Sequence, residues 1–341
     1  MDFFPLIKVF SLSTLSFLVA MVWAPILVRF LSRHRLGKRI RDAKEAPVMA
    51  GLHAAKEGTP TMGGVLVWGT TLAFALLLPM ISSSFSFFSR AETYLPLGAL
   101  IASALVGLVD DLFNIRRIGA HGGGLRMRHR FFIYTAIAAV GAWWFFIKLE
   151  RDVLHIPFLG NIDVGWWYIP IFIFIIVATA FSVNEIDGLD GLAGGTLLTA
   201  FGAYGAIAFI QGRYDLATFI GVIIGALLAF LWFNINPARF FMGDTGAMSL
   251  GVTLGVIAML TNSALLLPLI GLMFVVESLS VIVQITSRKL FHRKIFRSSP
   301  IHHHLEAIGW KEPQIVMRFW MISGVTAVAG LVLFLVDRLL T

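Results

Sequence analysis

Asn184-Glu185-Ile186-Asp187-Gly188-Leu189-Asp190-Gly191-Leu192-Ala193-Gly194-Gly195 joins two long apolar runs and places two carboxylates beside an amide and several glycines. Acidic side chains at that depth are costly, so they face a partner, a cavity or an ion. Asp187 and Asp190 are three residues apart, so both can point into one cavity if Asp190 starts the next helix. The glycines would allow a ligand to approach the backbone closely. A second acidic pair, Asp110-Asp111, ends another apolar run. Adjacent carboxylates suit proton abstraction or a divalent cation. Taken alone, such a pair also reads as a helix end meeting water.

Three further clusters carry polar chemistry. Asn234-Ile235-Asn236-Pro237 leads into Arg239-Phe240-Phe241-Met242-Gly243-Asp244. Asn234 offers an amide for a base edge or sugar, Phe240 or Phe241 a stacking face, and Asp244 another oxygen ligand. Asp244 reads equally well as the N-cap of the following helix. Lys56-Glu57-Gly58-Thr59-Pro60-Thr61-Met62-Gly63-Gly64 sets small residues and a lysine at a helix entrance, an arrangement that suits phosphate. His302-His303-His304, read as a loop, could offer several donors to a diphosphate. The tract lacks the i, i+4 spacing of a helical zinc site. Glu277 sits inside an apolar run and needs a buried partner, structural rather than catalytic.

These groups must be positioned by membrane helices. The chain is 58% hydrophobic and 13% charged over 341 residues, and its mean hydropathy is +0.85, which no ordinary soluble domain shows. Ten runs are long enough to be spans, centred near Ala20, Thr71, Ala102, Ala139, Phe174, Ala203, Ala226, Val256, Val275 and Gly330. Short connections predict one all-α polytopic membrane domain over 1–341, a bundle of about ten transmembrane helices. The first run is long and lacks a small-residue cleavage site, so it reads as a retained span. Residues 149–165, with Pro157 and Gly160, read as an external loop, followed by an aromatic belt at Trp166-Trp167-Tyr168. From Ser287 the ninth helix is expected to continue as a basic amphipathic segment lying on the membrane surface.

The formal charge of +8 is explained by topology rather than by nucleic acid. Loops on one side hold 19 Lys and Arg and loops on the other hold six. The positive-inside rule places the first group in the cytoplasm and both termini outside. Every polar cluster except Glu277 then falls at the cytoplasmic face. With no cysteine, thiolate chemistry and disulfides are excluded. A pocket of Asp, Asn, Lys and His with no Walker A or Gly-x-Ser-x-Gly sequence points to magnesium-assisted phosphoryl chemistry.

Thr59-Pro60-Thr61-Met62-Gly63-Gly64, Val109-Asp110-Asp111, Asp187-Gly188-Leu189-Asp190-Gly191-Leu192-Ala193, Phe240-Phe241-Met242-Gly243-Asp244 and Pro300-Ile301-His302-His303-His304 together closely resemble the MraY family. These are the phospho-N-acetylmuramoyl-pentapeptide transferases of the polyprenyl-phosphate N-acetylhexosamine-1-phosphate transferase superfamily. The resemblance runs along nearly the whole chain. It implies a multi-pass enzyme of the bacterial inner membrane that converts UDP-MurNAc-pentapeptide and undecaprenyl phosphate to lipid I and UMP. It also implies Mg2+ held by Asp244, with Asp110 deprotonating or orienting the lipid phosphate and Asp111 beside it. Asn184, Asp187, Asp190 and Asn234 would bind uridine and position the diphosphate, with Phe241 and Gly243 near the base. Lys56, Thr61, His302, His303 and His304 would contact phosphate or sugar, and the family tends to form homodimers.

The chain departs from the family pattern at Asn114, where a lysine is usual, at His121-Gly122-Gly123-Gly124 in place of Lys-Gly, and at Glu185-Ile186 in place of Leu-Thr. These positions bear on how the cytoplasmic loop meets substrate and which peptide is accepted. A sister enzyme transferring GlcNAc-1-phosphate to a polyprenyl phosphate would share the aspartates without needing the histidine sequence. A transporter would predict inverted repeats and paired broken helices.

Overall fold

A computed structural model of the chain describes residues 3–37, 56–89, 92–119 and 123–340. The basic segment through Lys44 lies mostly outside them, as do His121 and Gly122. Each apolar run becomes helical because, in lipid, backbone groups must be paired within the segment. The helices are α1 (Phe4–Arg33), α2 (Val65–Ile81), α3 (Tyr94–Arg116), α4 (Met127–Trp143), α5 (Tyr168–Ile186), α6 (Leu192–Ile210), α7 (Tyr214–Asn234), α8 (Gly243–Leu260), the short α9 (Leu267–Ile270), α10 (Leu272–Leu290), α11 (Ile301–Ala307) and α12 (Glu312–Leu340).

Among the described residues eight helices are long and apolar enough to cross a membrane. Of the ten expected spans, the second, α2, has 17 residues, and the ninth is broken, with an 82° bend between Ala264–Ile270 and Leu272–Leu290. A transporter would carry two broken spans in corresponding positions; among the described residues there is one.

Two local expectations are corrected. Residues 149–165, expected to be a loop, contain a hairpin, β1 (Val153–Ile156) paired antiparallel with β2 (Gly160–Asp163). It is fastened to α12 by His155, whose Nε2 lies 2.6 Å from Asp337 Oδ2, and by the Phe158 amide donating to Asp337 Oδ1 at 2.6 Å. The basic segment after α10 does not continue the helix. Residues 291–300 fold back, because Gln284 accepts from the Ile295 and Phe296 amides and donates to the Phe296 carbonyl. Within the aromatic belt, Trp166 and Trp167 are exposed while Tyr168 is buried.

The core is built around α8, which is enclosed along nearly its whole length by α3, α5 and neighbouring helices. Close approach depends on small residues, as in other bundles that lack a hydrophobic drive between helices. A Cβ on Gly107 of α3 would fall 2.4 Å from the Asp244 carbonyl oxygen, and one on Gly225 of α7 would fall 2.1 Å from that of Ser13 in α1. Ser16 of α1 donates to Val222 O at 2.7 Å along the same contact. The first turns of α1 and the last turn of α12 meet the region of the α6–α7 turn, through Lys8–Asp215 at 2.9 Å and Arg338 Nη1 to Ile210 O at 2.8 Å. All the polar clusters described next gather at the opposite end.

The α1–α7 contact gives a direct test. Gly225→Val should lower stability by about 2 kcal/mol through overpacking against backbone, read as a lowered thermal midpoint in detergent. Gly202→Val, at a position with open space around it, should leave that midpoint nearly unchanged.

Candidate functional site

Asp110 and Asp111 were expected to end the run, but α3 continues past them to Arg116, and the two carboxylates do different work. Asp111 accepts the amides of Asp244 at 3.1 Å and Thr245 at 3.0 Å, so it caps the start of α8 from a neighbouring helix. Its placement there uses the partial positive charge of a helix N-terminus. Asp110, fully buried, accepts the Leu125 amide at 2.6 Å and meets Arg130 Nη2 at 2.6 Å. The Leu125 amide reaches Asp110 because Gly124, at φ +83°, lies directly against Asn114: a Cβ there would sit 2.3 Å from Asn114 Oδ1. Two of the departures from the family pattern therefore touch one another.

Asp244 is not the N-cap of α8. It stands in the first turn with its side chain free to face inward, because Asp111 supplies the cap. Its Oδ1 accepts from Asn184 Nδ2 at 2.7 Å, and its Oδ2 accepts from Arg130 Nη2 at 2.8 Å and Asn114 Nδ2 at 3.3 Å. Arg130 Nη1 also donates to Asn184 Oδ1 at 3.0 Å. Asp110, Asn184 and Asp244, which are far apart in sequence, thus converge on one guanidinium. Arg130 was legible only as a topology charge; its position one turn into α4, facing three oxygens, is a property of the bundle.

Among the described residues no group of three His, Cys, Asp or Glu is placed to hold a metal ion. Magnesium asks for less: one or two carboxylates, with waters and substrate phosphates completing the octahedron. Two carboxylates and an amide oxygen that already gather around a cation match that donor chemistry.

A second charged cluster is centred on Lys56. Lys56 Nζ meets Asp190 Oδ1 at 2.7 Å and Glu312 Oε1 at 2.5 Å. Asp190 Oδ2 accepts from Asn236 Nδ2 at 3.0 Å and the Ala238 amide at 3.1 Å, and Glu312 accepts the Asp190 amide at 2.7 Å. Glu312 and Asn236 were not singled out in the sequence, since a glutamate at a helix start and an asparagine before proline are common. Asp190 precedes α6, which begins at Leu192 after Gly191 turns the chain at φ +81°, so the condition that Asp190 start this helix is not met. Asp187 closes α5 as its C-cap residue.

The other predicted contacts divide between scaffold and cavity. Asn234 accepts the Gly191 amide at 3.0 Å and donates to Phe240 O at 2.8 Å, so its amide joins two loops. At the helix entrance read as suiting phosphate, the Gly63 and Gly64 amides donate to Phe241 O and Met242 O at 2.7 and 2.9 Å. Phe240 is buried against Phe230 and Phe233, whereas Phe241 is half-buried with Lys56 Nζ 6.0 Å from its ring centre. The buried Thr61 hydroxyl has no hydrogen-bond partner among the described residues. It adjoins Gly243, where a Cβ would lie 2.7 Å from Thr61 Oγ1 and 2.6 Å from Asp111 Oδ2.

The histidines lie on α11 rather than in a loop, and a helix spreads consecutive side chains around its axis. His302 turns inward, with Nδ1 2.9 Å from Glu277 Oε2 and its ring against Gly188, where a Cβ would fall 2.2 Å from Nε2. Glu277 thereby has the buried structural partner it required. His303 packs on His302 and meets Glu306 Oε2 at 2.9 Å, while His304 Nδ1 accepts the Arg297 amide at 3.1 Å. The three rings are therefore not arranged side by side as one set of donors: His302 adjoins the Asp187–Asp190 turn, and His304 meets the segment before α11.

Known proteins resemble this chain along nearly its whole length. A profile described as glycosyl transferase family 4 matches residues 94–262, and phospho-N-acetylmuramoyl-pentapeptide-transferase signature 1 matches residues 56–66. A Chloroflexus aurantiacus protein named phospho-N-acetylmuramoyl-pentapeptide-transferase is 39% identical over 339 residues, covering 95% of this chain and 89% of its own. Proteins of the same name from Geobacillus thermodenitrificans and Geobacillus kaustophilus are 39% and 40% identical, each covering 93% of this chain and 94% of its own.

The lysine-centred cluster should govern stability. Lys56→Met would leave Asp190 and Glu312 uncompensated and cost about 3 kcal/mol, as for other broken buried pairs. Adding Glu312→Gln should recover part of that loss in thermal unfolding, because the amide oxygen can still accept from Asp190.

Proposed function

The chain belongs to the phospho-N-acetylmuramoyl-pentapeptide transferase family, and from that membership we infer that it makes lipid I, transferring phospho-MurNAc-pentapeptide from UDP-MurNAc-pentapeptide to undecaprenyl phosphate and releasing UMP. It is a multi-pass protein of the bacterial inner membrane. The observation that carries the mechanistic reading is the convergence of Asp110, Asn184 and Asp244 on one cation position. The charge bias of the loops supports placing that end of the bundle in the cytoplasm, where the nucleotide substrate is, with both chain ends outside.

In the proposed reaction an oxygen of the lipid phosphate attacks the sugar-linked phosphorus of the diphosphate. The bond from that phosphorus to the bridging oxygen breaks, and UMP leaves with the electron pair. The attacking phosphate is already ionised, which favours direct attack over a covalent aspartyl intermediate. Asp244 and Asp110, with Asn184, would hold Mg2+, which when bound neutralises the diphosphate and polarises the phosphorus under attack. Asp110, buried against Arg130, would also orient the incoming lipid phosphate. Phe241 presents the half-buried ring suited to stacking on uracil, and Lys56 stands beside it. The Thr61 hydroxyl is free to donate to a phosphate oxygen. Asp111, Asp190, Asn234 and Gly243 would act through the loops they position, and His302 through the Gly188 turn it packs against.

Purified protein in detergent with undecaprenyl phosphate should release UMP from UDP-MurNAc-pentapeptide, and EDTA should stop it. Preference for UDP-GlcNAc would overturn the substrate assignment, and no release from either nucleotide would overturn the transferase reading. Asp244→Asn should cut turnover by about a thousandfold, in keeping with the several kcal/mol a metal supplies, while the thermal midpoint stays near that of the wild type. Retained Mg2+-dependent turnover would remove Asp244 from the metal site.

A further inference from the structure

Arg130 occupies the position at which a cation would sit between Asp110 and Asp244. Its Nη2 lies 2.6 Å from Asp110 Oδ2 and 2.8 Å from Asp244 Oδ2, and its Nη1 lies 3.0 Å from Asn184 Oδ1. A divalent ion ligated by the same oxygens would stand within a few ångströms of that guanidinium. The head group cannot escape the clash by losing its proton, because arginine stays charged in proteins. The two cations must therefore exclude one another unless the side chain moves or gains a new anion.

We propose that Arg130 is the resident counter-ion of this pocket, that it competes with the divalent cation for Asp110 and Asp244, and that it yields those carboxylates when a diphosphate arrives to receive it. The idea rests on the metal reading above. Two features support the exchange. The Nε–H of Arg130 is buried without a partner among the described residues, so its present bonding leaves a donor unused. A guanidinium also matches the bidentate geometry of phosphate oxygens better than it matches two carboxylates from different helices. Without substrate, Arg130 keeps Asp110 compensated at a depth where a bare carboxylate would be costly. With substrate, its charge passes to the diphosphate and opens the carboxylates to the metal. Metal entry is thereby tied to substrate entry, and an ion bound without its substrate is disfavoured.

The test reads metal binding directly, with Mn2+ as the probe and no substrate present. Titration of detergent-purified protein, followed by electron paramagnetic resonance of free Mn2+, should give Arg130→Gln a Kd at least about tenfold below the wild type, since a unit charge in contact with both ligands has been removed. Arg130→Lys, which keeps the charge, should stay within about threefold of the wild type on the same argument. Equal affinity of wild type and Arg130→Gln, or tightening in Arg130→Lys equal to that in Arg130→Gln, would overturn the proposal while leaving the metal site standing. Absence of Mn2+ binding in all three would overturn the metal reading with it. A measurement on the wild type alone guards against misfolding of the variants. Phenylglyoxal should modify Arg130 faster in Mg2+ than in EDTA, as quantified by mass spectrometry, and an equal or slower rate would overturn the proposal.

Discussion

A carboxylate set among membrane helices has no water to solvate it, so its donors must come from the protein, and a straight helix cannot supply them from its own bonded backbone. In this protein the donors come from other elements. Asp110 of α3 is met by the amide of Leu125 and by Arg130 of α4. Asp111 is met by the first amides of α8, Asp190 by Lys56 and Asn236, and Glu277 of α10 by His302 of α11. At the far end Asp337 of α12 is met by the hairpin, and Asp215 by Lys8 of α1. Each acid is thus a fastener between elements, and the bundle's register follows from satisfying them all.

That requirement also divides labour inside the site. Asp111 spends both oxygens on the start of α8, which leaves the neighbouring Asp244 to face the cavity. Asp110, the neighbour of Asp111 on α3, meets Arg130 instead, so two adjacent residues of one helix are divided between scaffold and site. The same division appears in the amides, where Asn234 joins two loops and Asn184 faces the cation position. Native proteins rarely leave buried polar atoms without partners. The Thr61 hydroxyl and the Arg130 Nε–H lie beside the Asp111–Asp244 junction, where a substrate would bring acceptors.

Much of this was legible in the residues. Apolar run length marks helices because backbone pairing in lipid allows little else, and costly polar groups within or between those runs mark the site because they are not retained there without use. Asp110, Asn184 and Asp244 could be picked out on that ground, and the loop charges indicated that they share one end of the bundle. The separate duties of Asp110 and Asp111 could not be seen, since adjacent aspartates look alike until the neighbouring helix start is in place. Arg130, Glu312 and Asn236 were hidden for a related reason: each belongs to an ordinary class of surface or helix-end residue, and only packing turns it inward.

The histidine tract and the segment before it show the same boundary. Composition marked them as basic and polar, but whether they form a helix, a loop or a surface strip depends on partners such as Gln284 and Glu277, which lie in a different part of the chain. Sequence by itself determined the helical membrane class, the family and the chemistry available, because burial cost and apolar length act locally along the chain. The tertiary structure alone decided which charges meet, because a pairing between helices depends on distances that no local spacing encodes.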